Sequence, residues 1–420
     1  MLIEMRLRNY KCFRDEQVLS MIATSDNSHP ENITEATSLS KLNILRTVAI
    51  YGANASGKSK LMEAIQFIDN FVLTSFLRKP NASIPVASFI YAEAAQNTPT
   101  DFEVTFVQKN IRYQYGFSVD QKRVYKEWLF FWPRGRQATY FERAYDHVSD
   151  TDQYKFGDLL KGEKERIAES TRSNALFLST AVFLNHAQLQ NVYDWFAEGL
   201  RGWSSNDIPL ETVAKIIKQE KYKSAIISFL RSVDISIEDY EVHEEKLALS
   251  EDASHAIREA VSRLYEDGQV PQRIRVIMIR KDEEGNSFAL DLEKDESEGT
   301  KRFFKLSALI LLSLEKTGVL YIDELDASFH PLLTRKIIKL FHNPQVNCNQ
   351  VQLIFNTHDT TLLDPDLFRR DQIWFVEKKP DNASEIYSLA EFSPRKNEAL
   401  AKGYLQGRYG AVPFCKEIRL

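Results

Sequence analysis

A chain of 420 residues with 43% hydrophobic and 11% aromatic side chains is long enough for one large domain with an insert, or for two domains, and its composition excludes a disordered polymer. Its 54 basic and 59 acidic residues leave a net charge of -5, which excludes a chain-wide basic coat for nucleic acid but not a local patch. Cys12, Cys348 and Cys415 are scattered without the paired spacing of a disulfide framework or a zinc site.

Met1 to Arg6 lacks the charged-then-apolar layout of a signal peptide, and the longest apolar run, Leu306 to Leu314, is far short of the roughly 20 residues that span a bilayer. The expectation is a soluble cytoplasmic protein with no membrane partner. Residues 2–9 alternate apolar and charged and read as a strand, Tyr10 to Phe13 as a turn, and Glu16 to Met21 as a second strand. A polar loop, Ser25 to Ser38, leads to the apolar run Val48-Ala49-Ile50.

That run ends in Gly52-Ala53-Asn54-Ala55-Ser56-Gly57-Lys58-Ser59, which has the G-x-x-x-x-G-K-[ST] spacing of a P-loop between a strand and a helix. Gly52 and Gly57 let the backbone curl so that successive N–H groups, including those about Asn54 and Ser56, point at an anion. Lys58 reaches the outer phosphates of ATP, the Ser59 hydroxyl takes a place on Mg²⁺, and the helix opening with Lys60 aims its positive end at the phosphates. The alternative is a glycine turn that matches by accident. Apolar Leu61, Ile65, Ile68, Phe71, Val72 and Phe76 then predict a helix of about four turns, ended by Pro80.

From Ser83 to Arg143 short alternating runs predict an antiparallel sheet of four or five strands. Its aromatic residues (Tyr113, Tyr115, Phe117, Trp128, Phe130, Phe131, Trp132) suit base stacking, but packing of one sheet face is the simpler reading. Residues 150–172 read as helix or loop, Asn174 to Ser179 as a buried strand, and Val182 to Trp203 as a helix. Two or three amphipathic helices are predicted between Asn206 and Asp267, with a strand near Ile235 to His243 and no long heptad array. Ile274 to Ile279 and Ser287 to Leu292 flank a hairpin turn. A helix from Thr300 to Glu315, a strand Val319 to Ile322, a helix from Pro331, and strands Val351 to Phe355 and Gln372 to Val376 complete the pattern. Strands alternating with helices in the first and last parts predict an α/β fold with a mostly parallel sheet covered on both faces.

Asp323 and Glu324 follow the strand Val319 to Ile322 in the form of a Walker B element. Asp323 is placed to hold Mg²⁺ with Ser59, and Glu324 to accept a proton from the attacking water. His358 follows the next apolar strand, where it can meet the γ-phosphate or that water. Ser297 and Gly299, at the start of the helix before Walker B, form either a simple N-cap or an anion site. Their position is that of the signature with which ABC-type ATPases cover a partner subunit's ATP, with Ser-Glu-Gly in place of Ser-Gly-Gly. Asp364-Pro365-Asp366 has the look of a metal pair, as in a Toprim nuclease, but no glutamate-glycine strand stands where such a domain needs it.

The P-loop with Asn54 at its third position resembles those of RecF-like, SMC and OLD-type ABC ATPases. The segments Asp323 to Pro331, Asn356 to Asp359, Arg370 to Phe375 and Tyr404 to Pro413 resemble the bacterial abortive-infection ATPases, including the RloA and AbiL types and the ATPase subunit of the PARIS anti-phage system. This resemblance implies an ABC-type head with a small helical insert. The expected division is 1–185 for a first ATPase lobe, 186–270 for the insert and 271–420 for a second lobe. It further implies ATP and Mg²⁺ held between the subunits of a homodimer or larger homo-oligomer, with a phage protein as trigger. A separately encoded effector, often a nuclease, is the implied partner. Lys58, Glu324 and His358 carry over as catalytic residues, His358 as the switch histidine, and Ser297 and Gly299 as the trans signature. Asn185 and Gln188 lie near the place of a Q-loop glutamine. The rival readings are a DNA-repair ATPase of the RecF or SMC kind, a transporter motor subunit and a self-contained nuclease.

Overall fold

Thr47, Val48, Ala49, Ile50 and Tyr51 are all buried, as suits a strand flanked on both sides within a covered sheet. In the computed structural model, which describes residues 1–37, 40–203, 208–246, 272–395 and 398–413, they form an inner strand of a six-stranded sheet. Its order is Leu200–Trp203, Val319–Ile322, Gln352–Asn356, Thr47–Tyr51, Ile373–Lys378, Ser384–Ser388. The first five strands are parallel and the last is antiparallel. The α/β fold with a mostly parallel sheet is therefore present.

A second, antiparallel sheet of seven strands runs Thr151–Phe156, Ala138–Asp146, Val124–Trp132, Ile111–Val119, Thr100–Gln108, Leu2–Arg8, Gln17–Ser20. It exceeds the four or five strands expected because both N-terminal strands join it, Leu2–Arg8 pairing with Thr100–Gln108 as well as with Gln17–Ser20, and because Thr151–Phe156, expected as helix or loop, is a strand paired with Ala138–Asp146. Tyr113, Tyr115, Phe117 and Phe131 are buried on its inner face. The helix Lys58–Thr74 buries Leu61, Ile65, Ile68, Phe71 and Val72, and its Phe71 and Phe67 meet Phe117 and Phe102 with ring centroids 5.5 and 5.2 Å apart. Each large apolar side chain so buried contributes about 1.5–3 kcal/mol. The P-loop helix is thus fixed by packing against the aromatic sheet. Trp128, Phe130 and Trp132 lie half-buried on the outer face, with Arg112 over the Trp132 ring at 4.4 Å.

Other local expectations also fail: the expected polar loop Ser25 to Ser38 contains the strand Ile33–Thr37, paired with Ser40–Leu45. Asn174 to Ser179 is buried but is not a strand, because the helix Phe177–Phe183 starts within it. The fully buried carboxylate of Glu127 accepts the Phe177 and Leu178 N–H groups at 2.6 and 3.0 Å, holding a helix start that the local apolar run does not announce. The single helix expected over Val182 to Trp203 is broken at Asn185, whose φ is +63°. It continues as the helix Ala187–Asp194, a π turn Trp195–Gly199, and the edge strand Leu200–Trp203 beside Val319–Ile322.

The chain forms two compact units, Met1–Asn206 with Lys316–Leu420, and Asp207–Glu315. The second unit therefore runs over 207–315, against the 186–270 expected for an insert. It is also not purely helical. The helices Leu210–Ile217 and Glu220–Arg231 accompany a three-stranded antiparallel sheet of Asp239–Lys246, Gln272–Lys281 and Ser287–Asp291. Alternate residues Ile274, Val276 and Met278 are buried, and Tyr240 meets Phe304 of the helix Glu298–Leu314 at 5.1 Å between ring centroids. That helix also takes Phe229 against Phe303, so it packs into this unit through its own aromatic side chains. The predicted helical region beyond residue 246 lies outside the described residues.

Candidate nucleotide site

Parallel pairing sends the strands Val319–Ile322, Gln352–Asn356 and Thr47–Tyr51 in one direction, so the segments that follow them emerge at the same sheet edge. This edge of an open α/β sheet is where such folds gather ligand-binding groups. Ile322 pairs with Phe355 and Asn356 with Ile50, so the strand ends are also level.

After Tyr51 the chain curls. A side chain cannot be fitted at Gly52, because a Cβ there would lie 2.4 Å from the Val376 carbonyl oxygen. Gly57 has a φ of +118°, and a Cβ on it would lie 2.7 Å from Cys12 Sγ. The Ser384 hydroxyl donates to the Ser56 carbonyl at 2.5 Å, pinning the loop to the antiparallel edge strand. Asn54 stands exposed at the loop tip, whereas the Ser56 hydroxyl is buried without a hydrogen-bond partner.

Lys58 opens the helix and folds its ammonium back to donate to the Gly52 and Ala53 carbonyls at 2.8 and 3.0 Å. Burial pushes its pKa down to about 8, against the opposing pull of Glu324, Asp323 and Asp326. Ser59 Oγ donates to Asp323 Oδ1 at 3.2 Å. The Lys60 side chain turns along the helix to Glu63 at 2.8 Å.

Burial raises the Asp323 carboxyl above the ordinary carboxylate range, hydrogen bonds from Asn356 and Ser59 oppose this, and Glu324 and Glu63 add to it. Glu324 follows with φ of +50°, in the left-handed region that few side chains adopt. Its N–H is held by the Asn356 side-chain carbonyl, and the Leu325 N–H by the Asn356 main-chain carbonyl at 3.1 Å. His358 donates its backbone N–H to Asp326 Oδ2 at 3.2 Å and presents an exposed side chain. Partial burial and the Lys58 charge lower its pKa, while Asp326, Glu324 and Asp323 act the other way. Lys58, Ser59, Asp323, Glu324 and His358 are therefore brought together.

The remaining candidates have local partners of their own. Ser297 and Gly299 belong to the second unit, where the Ser297 hydroxyl accepts the Thr300 N–H at 3.2 Å as the N-cap of Glu298–Leu314. Gln188 uses its amide on the Lys161 N–H and the Leu159 carbonyl, at 2.7 and 3.2 Å. Asp364 pairs with Arg335 and accepts the Asp366 N–H at 2.8 Å, so Asp364-Pro365-Asp366 is a turn with an ion pair. Among the described residues no group of three or more His, Cys, Asp or Glu is placed to hold a metal ion. Asn356 is the residue that the motifs leave without a role. A fully buried polar side chain at the last position of an apolar strand is the signal that marks it.

The arrangement suits a nucleoside triphosphate. A curled loop with a lysine at its base suits phosphates, and a hydroxyl beside a carboxylate is a hard-oxygen pair of the kind Mg²⁺ takes when phosphate oxygens and water complete its shell. No helix among the described residues is long and apolar enough to cross a membrane.

A family model described as "AAA domain, putative AbiEii toxin, Type IV TA system" matches residues 48–364. No curated protein matches the chain. Among solved structures it is similar to an SMC head bound to the C-winged helix domain of ScpA, at 14% identity over 94% of this chain and 99% of that one, with a TM-score of 0.42. The SMC head domain from Thermotoga maritima is similar at 12% identity over 92% and 98%, with a TM-score of 0.39. An Smc head with an extended coiled coil, bound to the C-terminal domain of ScpA derived from Pyrococcus furiosus, is similar at 12% identity over 97% and 99%, with a TM-score of 0.38.

Proposed function

The chain belongs to this AAA-domain family described as putative AbiEii toxin, Type IV TA system, and from that premise we propose that it binds and hydrolyses ATP with Mg²⁺ to control a toxic effector in bacterial anti-phage defence. The observation that carries the nucleotide half of this reading is the meeting of Lys58, Ser59, Asp323, Glu324 and His358 at one sheet edge. In it, Lys58 leaves the Gly52 and Ala53 carbonyls for the outer phosphates, and Ser59 and Asp323 hold the cation. Mg²⁺ bound there neutralises charge on the phosphate oxygens. Glu324 takes the proton of the attacking water, and His358 orients that water or the terminal phosphate. A second copy supplies Ser297 and Gly299 over the triphosphate, which makes a homodimer or larger homo-oligomer the working form.

The defence half rests on the family and on the resemblance of Asp323 to Pro331, Asn356 to Asp359 and Tyr404 to Pro413 to abortive-infection ATPases. The effector, probed as the product of the adjoining gene, is held or released according to the nucleotide state. The test is to express the chain with its neighbouring genes, challenge the cells with phage, and compare Lys58→Ala. Loss of both ATP binding and protection supports the reading. Unchanged ATP binding by Lys58→Ala rejects the site, and unchanged protection without ATP binding rejects the coupling.

A further inference from the structure

Asn356 is completely buried at the tip of the strand that lies between the P-loop strand and the Walker B strand. Its two side-chain ends make different bonds. Oδ1 accepts the Glu324 N–H, and Nδ2 donates to Asp323 Oδ1. This orientation is forced, since a main-chain N–H can only be met by the oxygen end, which leaves the amino end for the carboxylate. Asp323 Oδ1 also receives the Ser59 hydroxyl, so the amide and the P-loop serine converge on one oxygen. The Glu324 backbone, with φ of +50°, is held in its unusual conformation by the other end.

We propose that Asn356 is a positioning residue that aims Asp323 at the cation through its amino end and sets the Glu324 backbone through its carbonyl end. This rests on the nucleotide-site reading above. A buried amide serving two adjacent residues is a rigid coupler, because neither bond can be exchanged for water without exposing the other. It is completely buried, so its effect runs through the two acidic residues it bonds. An apolar residue of similar size would fill the space but remove both the amide donor to Asp323 Oδ1 and the side-chain acceptor of the Glu324 N–H, so packing alone does not account for an asparagine here.

The two ends are separable by substitution. Asn356→Asp keeps an acceptor for the Glu324 N–H and replaces the neutral donor facing Asp323 by a second carboxyl, whereas Asn356→Ala loses both bonds. Mn²⁺ binding to the protein–ATP complex, followed by electron paramagnetic resonance, is expected to weaken about tenfold in both variants, with ATP affinity measured without metal unchanged within about twofold. At saturating Mg²⁺, kcat is expected to fall about 100-fold in Asn356→Ala and much less in Asn356→Asp, with KM for ATP little changed. A purely structural role would lower the melting temperature and leave the metal affinity and the kcat-against-KM split as in the wild type. That result, or equal kcat in the two variants, overturns the proposal. Wild-type protein that binds no ATP would instead overturn the site reading, so the two failures are distinguishable.

Discussion

Ser59 Oγ donates a hydrogen bond to Asp323 Oδ1 at 3.2 Å, joining the first turn of the P-loop helix to a residue 264 positions further along the chain. The bond places a hydroxyl and a carboxylate where one cation can reach both. Ser59→Ala is expected to raise the Mg²⁺ concentration needed for half-maximal ATP binding about tenfold, and Ser59→Thr to leave it within about twofold, because threonine keeps the hydroxyl. Titration calorimetry with ATP at graded Mg²⁺ reads this directly. An unchanged Mg²⁺ requirement in Ser59→Ala would place the cation elsewhere.

Glu324 has its main chain tied by Asn356 and Leu325 follows it back to the same residue, so the side chain leaves from a fixed point. Glu324→Gln preserves the volume and removes the proton acceptor. The expected outcome is ATP binding within about threefold of wild type with turnover reduced about 10²- to 10⁴-fold, the range for loss of a general base. Gel filtration with ATP should then show a longer-lived oligomer. Normal phosphate release by this variant would show that another group accepts the proton.

The parts of the site that sequence alone made legible are those where neighbours in the chain are neighbours in space. The P-loop, Asp323 with Glu324, and His358 each sit at the end of an apolar strand, and alternation of strand with helix put those ends on one edge. What stayed hidden depends on distant partners. Asn356 becomes meaningful only beside Asp323, 33 residues away, and the helix start at Phe177 only once Glu127 arrives from 50 residues earlier. The apolar spacing from Val182 to Trp203 is continuous, so nothing in it marks where the chain turns at Asn185 and leaves as a sheet edge. The position of Ser297 before Walker B favours a signature over a simple cap, and its bond to Thr300 satisfies the cap without bearing on the signature.

Asp69, on the P-loop helix, yields a prediction that does not depend on nucleotide. Its carboxyl Oδ1 is buried and unpartnered on a half-buried residue, and burial raises its pKa from 3.8 to about 8. The folded chain therefore keeps this proton up to about pH 8, while the unfolded chain releases it near pH 3.8. Between those values the folded state binds more protons, so this group makes stability fall as pH rises, by at most about 1.4 kcal/mol per pH unit. Below that window it costs nothing, and above it the cost is complete. Asn at this position has nearly the same shape and no ionisable proton. Asp69→Asn should accordingly unfold at a higher temperature than wild type at pH 8 and lose most of that advantage at pH 4.5, by differential scanning calorimetry. Parallel pH dependence in the two proteins would show that Asp69 is ionised in the folded chain, with a partner that satisfies it.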